Sequence, residues 1–81
     1  MKPEQLRQLI STNVHRRRAE LGITQVALAE ACDCTQAHIS KLEKGLTGCS
    51  DEMLAILSEA LHCHPAALMM EPARVTKSKI S

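Results

Sequence analysis

The chain of 81 residues contains no aromatic residue and carries a formal net charge of only +1. Its core must therefore be built from aliphatic and sulfur-containing side chains, which suits several short helices and argues against a β-sandwich. No apolar run approaches the ~20 residues that a membrane-spanning helix needs, and the N-terminus lacks the apolar core of a signal peptide, so we expect one small, soluble, cytoplasmic domain.

Charge is distributed unevenly along the sequence. The basic residues of the first segment are Lys2, Arg7, Arg16, Arg17 and Arg18. Residues 51–71 hold acidic residues and no Lys or Arg. This distribution predicts a bipolar molecule that offers one face to phosphate groups, although an arginine triplet alone is often no more than a solvated helix face.

The first predicted helix begins near Pro3 and ends at Gly22, because proline favours the first helical position and glycine favours the end. Its apolar stripe consists of Leu6, Leu9, Ile10, Val14 and Leu21. Residues 11–13, Ser-Thr-Asn, form a weak spot in this helix. A second possibility is therefore that the helix begins there and that residues 1–10 form a separate arm.

Residues 24–45 predict two short helices that are joined by a tight turn. Thr24 and Thr35 are each good N-caps, because a threonine hydroxyl can accept a hydrogen bond from an amide of the first helical turn. Asp33 interrupts the apolar pattern between the two helices. Gly45 ends the second helix, since glycine adopts a positive φ without strain.

The second of these helices has two different faces. At about 100° per residue, one arc carries amide, methyl, hydroxyl and ammonium groups, from Gln36, Ala37, Ser40, Lys41 and Lys44. The opposite arc holds Ile39, Leu42 and Glu43. The groups of the first arc are those that contact base edges and phosphates in the major groove of DNA. A helix-turn-helix with such an outer face is typical of DNA-binding proteins, with the second helix as the reader.

Two charged residues are predicted to lie on the buried sides of their helices. Arg18 follows Val14 by four residues, and Glu43 follows Ile39 by four residues. A buried charge needs a partner, so we expect Arg18 and Glu43 to pair with each other. Two independent surface charges are the alternative.

Taken together, these residues resemble the Cro/C1-type (XRE) helix-turn-helix family of phage repressors. The likeness runs from about residue 10 to residue 69, and it is carried by Thr24-Gln25, Leu28-Ala29, Cys34-Thr35-Gln36, Ile39-Ser40-Lys41-Leu42-Glu43 and Gly45. Asp33 stands where the family usually has glycine. The resemblance implies an all-α, compact five-helix lambda-repressor-like DNA-binding domain over residues 1–71, with helices 2 and 3 forming the helix-turn-helix. It also implies a bridge between Arg18 and Glu43.

The resemblance also suggests how the reader helix contacts DNA. It points Gln36 into the groove, where the side-chain amide matches N6 and N7 of adenine, and it gives Gln25 the role of binding a phosphate and bracing Gln36. Ala37, Ser40 and Lys41 complete the predicted base-reading set. Ala37 can contact a thymine methyl group, Ser40 can hydrogen-bond to donors or acceptors of a base edge, and Lys41 favours O6 and N7 of guanine. The predicted phosphate contacts are Gln25, Thr35, His38, Lys44, Thr47, Arg16 and Arg17.

Two further helices are predicted after the reader. Ser50 caps helix four, whose core-facing residues are Leu54, Leu57 and Leu61. His64-Pro65 begins a short fifth helix, with Leu68 and Met69 packing inward. Residues 72–81 form a basic tail that we expect to be either disordered or associated with the same tail of a dimer partner.

The four cysteines raise the question of a metal or thiol site. Cys32, Cys34 and Cys63, the last flanked by two histidines, could offer zinc ligands. However, the C-x-C spacing lacks the usual gap of zinc sites, and the resembled family places aliphatic core residues at these positions. We therefore expect structural thiols, no disulfide, no metal and no cofactor, with Cys49 as the one exposed thiol.

The sequence thus predicts a sequence-specific transcriptional regulator, most simply a repressor, that binds a palindromic, inverted-repeat operator in double-stranded DNA. Such a regulator would be a cytoplasmic, nucleoid-associated protein of a prokaryote or a phage. One reader helix contacts only a few base pairs, so specificity requires a homodimer, with Met53, Ile56 or Met70 at the interface. The alternatives are an antitoxin of the same fold with a protein partner, and a thiol- or metal-responsive regulator. No motif favours an enzyme.

Overall fold

The computed structural model describes residues 2–71, and within this range the chain is all-helical with no strand. The elements in chain order are α1 (Pro3–Leu21), α2 (Gln25–Ala31), α3 (Gln36–Glu43), α4 (Asp51–Ala60) and a 3-10 helix (Pro65–Met69). The all-α prediction is confirmed, but the fifth helix is a short 3-10 segment rather than an α-helix. The tail predicted at residues 72–81 lies outside the described range.

Local capping explains where the helices begin and end. The side-chain oxygens of three N-cap residues accept backbone N–H groups at 3.0–3.1 Å, from Thr24 to Ala27, from Thr35 to His38 and from Ser50 to Met53. Each such cap contributes about 1 kcal/mol. At the end of α1, Gly22 has a φ of +69°, a left-handed conformation that costs glycine nothing.

The helix α1 continues without interruption through the weak helix formers at residues 11–13, so the alternative of a separate N-terminal arm is wrong. Two of these residues are buried and hydrogen-bonded to distant backbone. The Ser11 hydroxyl donates to the carbonyl of Glu43 at 2.5 Å. The Asn13 amide donates to the carbonyls of Leu68 and Met70 at 2.9 and 2.7 Å. These tertiary hydrogen bonds outweigh the modest helix propensity of the two side chains.

The hydrophobic core lies where α1 packs against α3 and the 3-10 helix, α2 against α3, and α4 against the 3-10 helix. Its buried apolar residues are Ile10, Val14, Leu28, Ala29, Cys32, Ile39, Leu42, Leu57, Leu61 and Leu68. These small aliphatic side chains come from every helix, so the core holds the helix-turn-helix against the rest of the domain.

Two predicted core positions are placed differently in the structure. Met69 was expected to pack inward beside Leu68, but 37% of Met69 is exposed whereas Leu68 is buried. A 3-10 helix has about three residues per turn, so adjacent residues diverge by about 120° and only one of them can face the core. Leu6, in the first turns of α1, is also exposed.

Among residues 2–71, no helix has the length and apolar composition that crossing a membrane would require.

Candidate nucleic-acid interface

The turn between α2 and α3 depends on Asp33. This residue has a φ of +56°, the left-handed conformation that Asp tolerates better than most residues. The N–H of Cys34 then donates to the carbonyl of Ala29 at 2.9 Å, which closes the end of α2. The predicted turn is therefore formed with Asp in the position that the resembled family usually gives to glycine.

The two faces of α3 are separated as the helical spacing predicted. Ile39 and Leu42 are buried against α1 and α2. The opposite face presents its polar residues to solvent, with Gln36, Ala37, Lys41 and Lys44 exposed and His38 and Ser40 half-buried. All four predicted base-reading residues consequently lie on one accessible surface.

Glu43 ends α3 on the inner side and pairs with Arg18 of α1. The Nε of Arg18 donates to Oε2 of Glu43 at 2.6 Å, and its Nη2 donates to Oε1 at 3.1 Å. Only 4% of the Glu43 side chain and 14% of the Arg18 side chain are exposed. Arg18 also donates to the carbonyl of Ile23 at 2.8 Å, so one guanidinium joins α1, the loop before α2, and α3.

Both partners of this ion pair are charged at neutral pH. Burial raises the pKa of the Glu43 carboxyl, but hydrogen bonds from Arg18, Gln25 and His15 outweigh burial and hold that pKa below its ordinary value. The hydrogen bond to Glu43 in turn raises the pKa of Arg18, against the opposing effect of desolvation. A bidentate pair of this kind fixes the orientation of both side chains.

The same carboxylate accepts two further hydrogen bonds. Oε1 of Glu43 lies 3.0 Å from Nε2 of Gln25 and 3.1 Å from Nδ1 of His15. The contact with His15, an exposed residue of α1, was not predicted from the sequence. The available signal was its spacing: His15 precedes Arg18 by three residues, so the two share a face of α1.

Gln25 extends this hydrogen-bond network from the protein interior to the exposed, polar face of α3. Its Nε2 is bonded to Glu43, and its Oε1 accepts a long hydrogen bond of 3.4 Å from Nε2 of Gln36. The first residue of α3 is thereby linked through Gln25 and Glu43 to Arg18. Such a chain limits the rotamers available to the Gln36 amide before any ligand binds.

Four of the predicted phosphate contacts lie in α3 or directly beside it. Thr35 and Lys44 are exposed at the two ends of α3, His38 is half-buried in its first turn, and Thr47 is half-buried in the loop that follows. The Thr35 oxygen accepts the N–H of His38, which leaves its own hydroxyl proton available as a donor. These residues all border the exposed face of α3.

Arg16 and Arg17, the other two predicted phosphate contacts, form hydrogen bonds within the protein. Arg17 donates to the carbonyls of Leu61 and His62 at 2.9 and 3.1 Å, which caps the C-terminal end of α4. Arg16 donates to Glu20 at 2.8 Å and to the amide oxygen of Asn13 at 3.3 Å. Both guanidinium groups thus have partners within the protein, and their contact with phosphate stays a prediction.

The cysteines are placed as core residues. Burial, followed by the proximity of Cys34 and Cys49, raises the pKa of Cys32 to about 11. Burial also raises the pKa of Cys34 and of Cys49. Cys49 was predicted as the one exposed thiol, but it is half-buried and packs against the core just as Cys34 and Cys63 do. Within residues 2–71, no three His, Cys, Asp or Glu side chains gather as a metal site would require.

Comparison with known proteins gives a consistent result. A family model described as helix-turn-helix matches residues 14–68. Among solved structures, the clp gene regulator ClgR from Corynebacterium glutamicum is 33% identical with a TM-score of 0.75, over 78% of this chain and 82% of that chain. The P22 c2 repressor, solved in complex with a synthetic operator, is 35% identical with a TM-score of 0.72, over 76% of this chain and 94% of that chain.

A third solved structure is similar in fold alone. The restriction-modification controller protein C.AhdI from Aeromonas hydrophila is 21% identical with a TM-score of 0.73, over 76% of this chain and 94% of that chain. No match is found among curated proteins. The family match begins in the second half of α1 and ends within the 3-10 helix.

Proposed function

Because this chain belongs to the helix-turn-helix family, we propose that it is a DNA-binding transcriptional regulator, and most simply a repressor. The observation that carries the proposal is the exposed face of α3, where Gln36, Ala37, Ser40 and Lys41 are presented together. The similar structures include a gene regulator and a repressor bound to a synthetic operator, which supports the same function for this chain.

We propose that base reading is led by Gln36. Its side-chain amide offers a donor and an acceptor in one plane, which matches N6 and N7 of adenine in the major groove. The hydrogen bond to Gln25 supports this role, because it uses one N–H of Gln36 and leaves the other N–H and the oxygen available. Ala37, Ser40 and Lys41 then contact neighbouring bases through a methyl, a hydroxyl and an ammonium group.

The proposed phosphate contacts hold α3 in register on the duplex. Gln25 donates only one of its two amide N–H groups to Glu43, so the other can donate to a phosphate oxygen. Lys44, Thr35, His38 and Thr47 surround α3 and supply charge and further donors. These contacts carry no sequence information themselves, and they position the base-reading residues.

We further propose that the protein acts as a homodimer on an inverted repeat. A single α3 contacts too few base pairs to select one site in a genome. Two copies of α3 that bind half-sites about 34 Å apart double the number of base pairs that are read. Exposed apolar groups support an interface near α4 and the 3-10 helix: 40% of Ile56 and 61% of Met70 are exposed, and Met53 is half-buried. Within residues 2–71, no observation favours an antitoxin or a thiol- or metal-responsive regulator, and buried thiols with a raised pKa react slowly.

The DNA-binding proposal is tested by titrating a fluorescent duplex of about three helical turns with the protein over a series of salt concentrations. Contacts to phosphate release counterions, so the logarithm of the association constant should fall with the logarithm of the salt concentration, with a slope of about −0.9 for each phosphate neutralised. Lys41→Gln together with Lys44→Gln should weaken binding and flatten this slope. A slope near zero for the parent protein would contradict the proposal.

A further inference from the structure

The first half of α1 lies beside the loop that follows α3, although it lies outside the family match at residues 14–68. A Cβ at Gly45 would lie 2.9 Å from Cδ of Gln8 and would overlap its Nε2. A Cβ at Gly48 would lie 3.9 Å from Nε and Nη2 of Arg7. The amide of Gln8 thus lies directly over the backbone at Gly45, and the guanidinium of Arg7 lies within van der Waals reach of the loop at Gly48.

Arg7 differs from the other arginines of residues 2–71 in its hydrogen bonds. Arg16, Arg17 and Arg18 donate to carboxylate or carbonyl oxygens of the protein. Within the described part of the chain, the exposed guanidinium of Arg7 donates no hydrogen bond and forms no ion pair, even with Glu4 three residues earlier. Its five N–H donors are therefore available to a ligand.

The loop connects these two side chains to the reader helix. Gly45 has a φ of +74° and directly follows Lys44, the last exposed cation of the α3 face. The N–H of Leu46 donates to the carbonyl of Lys41 at 2.9 Å, which ties the loop to the C-terminal end of α3. Arg7 and Gln8 consequently border the same end of α3 as Lys44 and Thr47.

We propose that Arg7 and Gln8 form a clamp on the DNA backbone at the C-terminal end of α3. Arg7 donates to the oxygens of one phosphodiester, for which a planar guanidinium is well suited, and Gln8 donates an amide N–H to the same strand. This inference rests on the proposed DNA-binding function. It adds a contact supplied by the part of α1 that precedes the family match.

The test uses the full chain and a fluorescent duplex of random sequence of about three helical turns, because phosphate contacts act on any sequence. Arg7→Gln should lower the affinity roughly tenfold for each bound protomer, as expected for the loss of a charge-assisted hydrogen bond. It should also reduce the salt slope by about 0.9 per protomer. Arg7→Lys should keep the slope because it keeps the charge, and Gln8→Glu should weaken binding by repulsion.

Lys2→Gln is the matched control, since it removes the same charge from another exposed residue at the start of α1. If Arg7 contacts the phosphate directly, Lys2→Gln should lower the DNA affinity by less than about twofold, because salt screens the long-range attraction between an exposed charge and DNA. Equal losses for Arg7→Gln and Lys2→Gln would overturn the clamp while leaving the DNA-binding function intact. Failure of the parent protein to bind any duplex would instead overturn the proposed function, and the clamp with it.

Discussion

At the scale of single residues, the carboxylate of Glu43 accepts hydrogen bonds from Arg18, Gln25 and His15 while only 4% of its side chain is exposed. A buried ion pair contributes little net stability compared with well-packed apolar residues. Its consequence here is geometric, because the same carboxylate holds Gln25, which contacts Gln36 on the reader face. The network connects the interior of the fold to the orientation of its first base-reading residue.

Removal of this carboxylate should destabilise the protein. Glu43→Ala leaves the Arg18 guanidinium buried without its partner, which should cost about 3–5 kcal/mol, a large part of the stability of so small a domain. Urea unfolding measures this change. The double variant Arg18→Met, Glu43→Leu is the control and should recover much of the loss, because it removes both charges. A Glu43→Ala variant that unfolds at the same urea concentration as the parent would show that the pair contributes nothing.

The acid dependence of stability follows from the same carboxyl. The folded-state pKa of Glu43 lies below its ordinary value of 4.5, so the folded protein binds this proton less readily than the unfolded chain. The stabilisation is therefore fully present above that ordinary value and is lost as the pH falls through the lower, folded-state pKa. We expect the free energy of unfolding to decrease with acid in the parent protein and to decrease less in Glu43→Gln. Parallel curves for the two proteins would contradict this assignment.

The residues that sequence reasoning placed correctly are those governed by local geometry. The spacing of about 100° per residue was enough to separate Ile39 and Leu42 from the polar face of α3. The hydrogen bond of His15 was not predicted because its partner Glu43 lies 28 residues away in the sequence. Arg17 was assigned to DNA on its charge, but its guanidinium donates to two carbonyls at the end of α4, and no local pattern indicates that contact.

At the scale of secondary-structure elements, the helix boundaries were largely predictable because each cap bonds within its own helix. Thr24, Thr35 and Ser50 all accept the N–H three residues ahead. The end residues of α1 also predicted one helix from Pro3 to Gly22, but they could not exclude a break at residues 11–13. The continuity of α1 depends on Asn13, which donates to carbonyls 55 and 57 residues away.

The loop after α3 offers a test of element packing. Gly45→Ala and Gly22→Ala both introduce a Cβ at a positive φ, at +74° and +69°, and each should cost about 1–2 kcal/mol. The Cβ of Gly45→Ala also meets the flexible end of the Gln8 side chain, whereas nothing lies within 4 Å at Gly22, so any excess cost at Gly45 measures how firmly Gln8 is held. Urea unfolding of the two variants measures the difference. Equal costs would mean that Gln8 moves away freely and is not held over the loop.

At the scale of the whole molecule, a net charge of +1 is compatible with DNA binding because of where the charges lie. Arg16 and Arg17 turn toward partners within the protein. Lys41 and Lys44 remain exposed on α3, and Arg7 lies over the loop that follows it. The basic face is therefore smaller than the sequence suggested, and it is centred on the C-terminal half of the reader helix.

The acidic residues of α4 offset part of the positive charge of α1 and α3. Asp51 and Glu52 are exposed in its first turn, where they also interact favourably with the helix dipole, and Glu59 is exposed near its end. The low net charge therefore coexists with a cluster of exposed cations at the C-terminal end of α3.

The most direct test of the central claim, that α3 reads DNA sequence, is the selection of bound duplexes from a random library by the parent protein and by Gln36→Ala. Because Gln36 is exposed, the two should have the same melting temperature. The parent should enrich an inverted repeat with half-sites about one helical turn apart. Gln36→Ala should lose selection at one adenine in each half-site, equivalent to about 1–3 kcal/mol. No enrichment by the parent, or the same enriched sequence for both proteins, would contradict the claim.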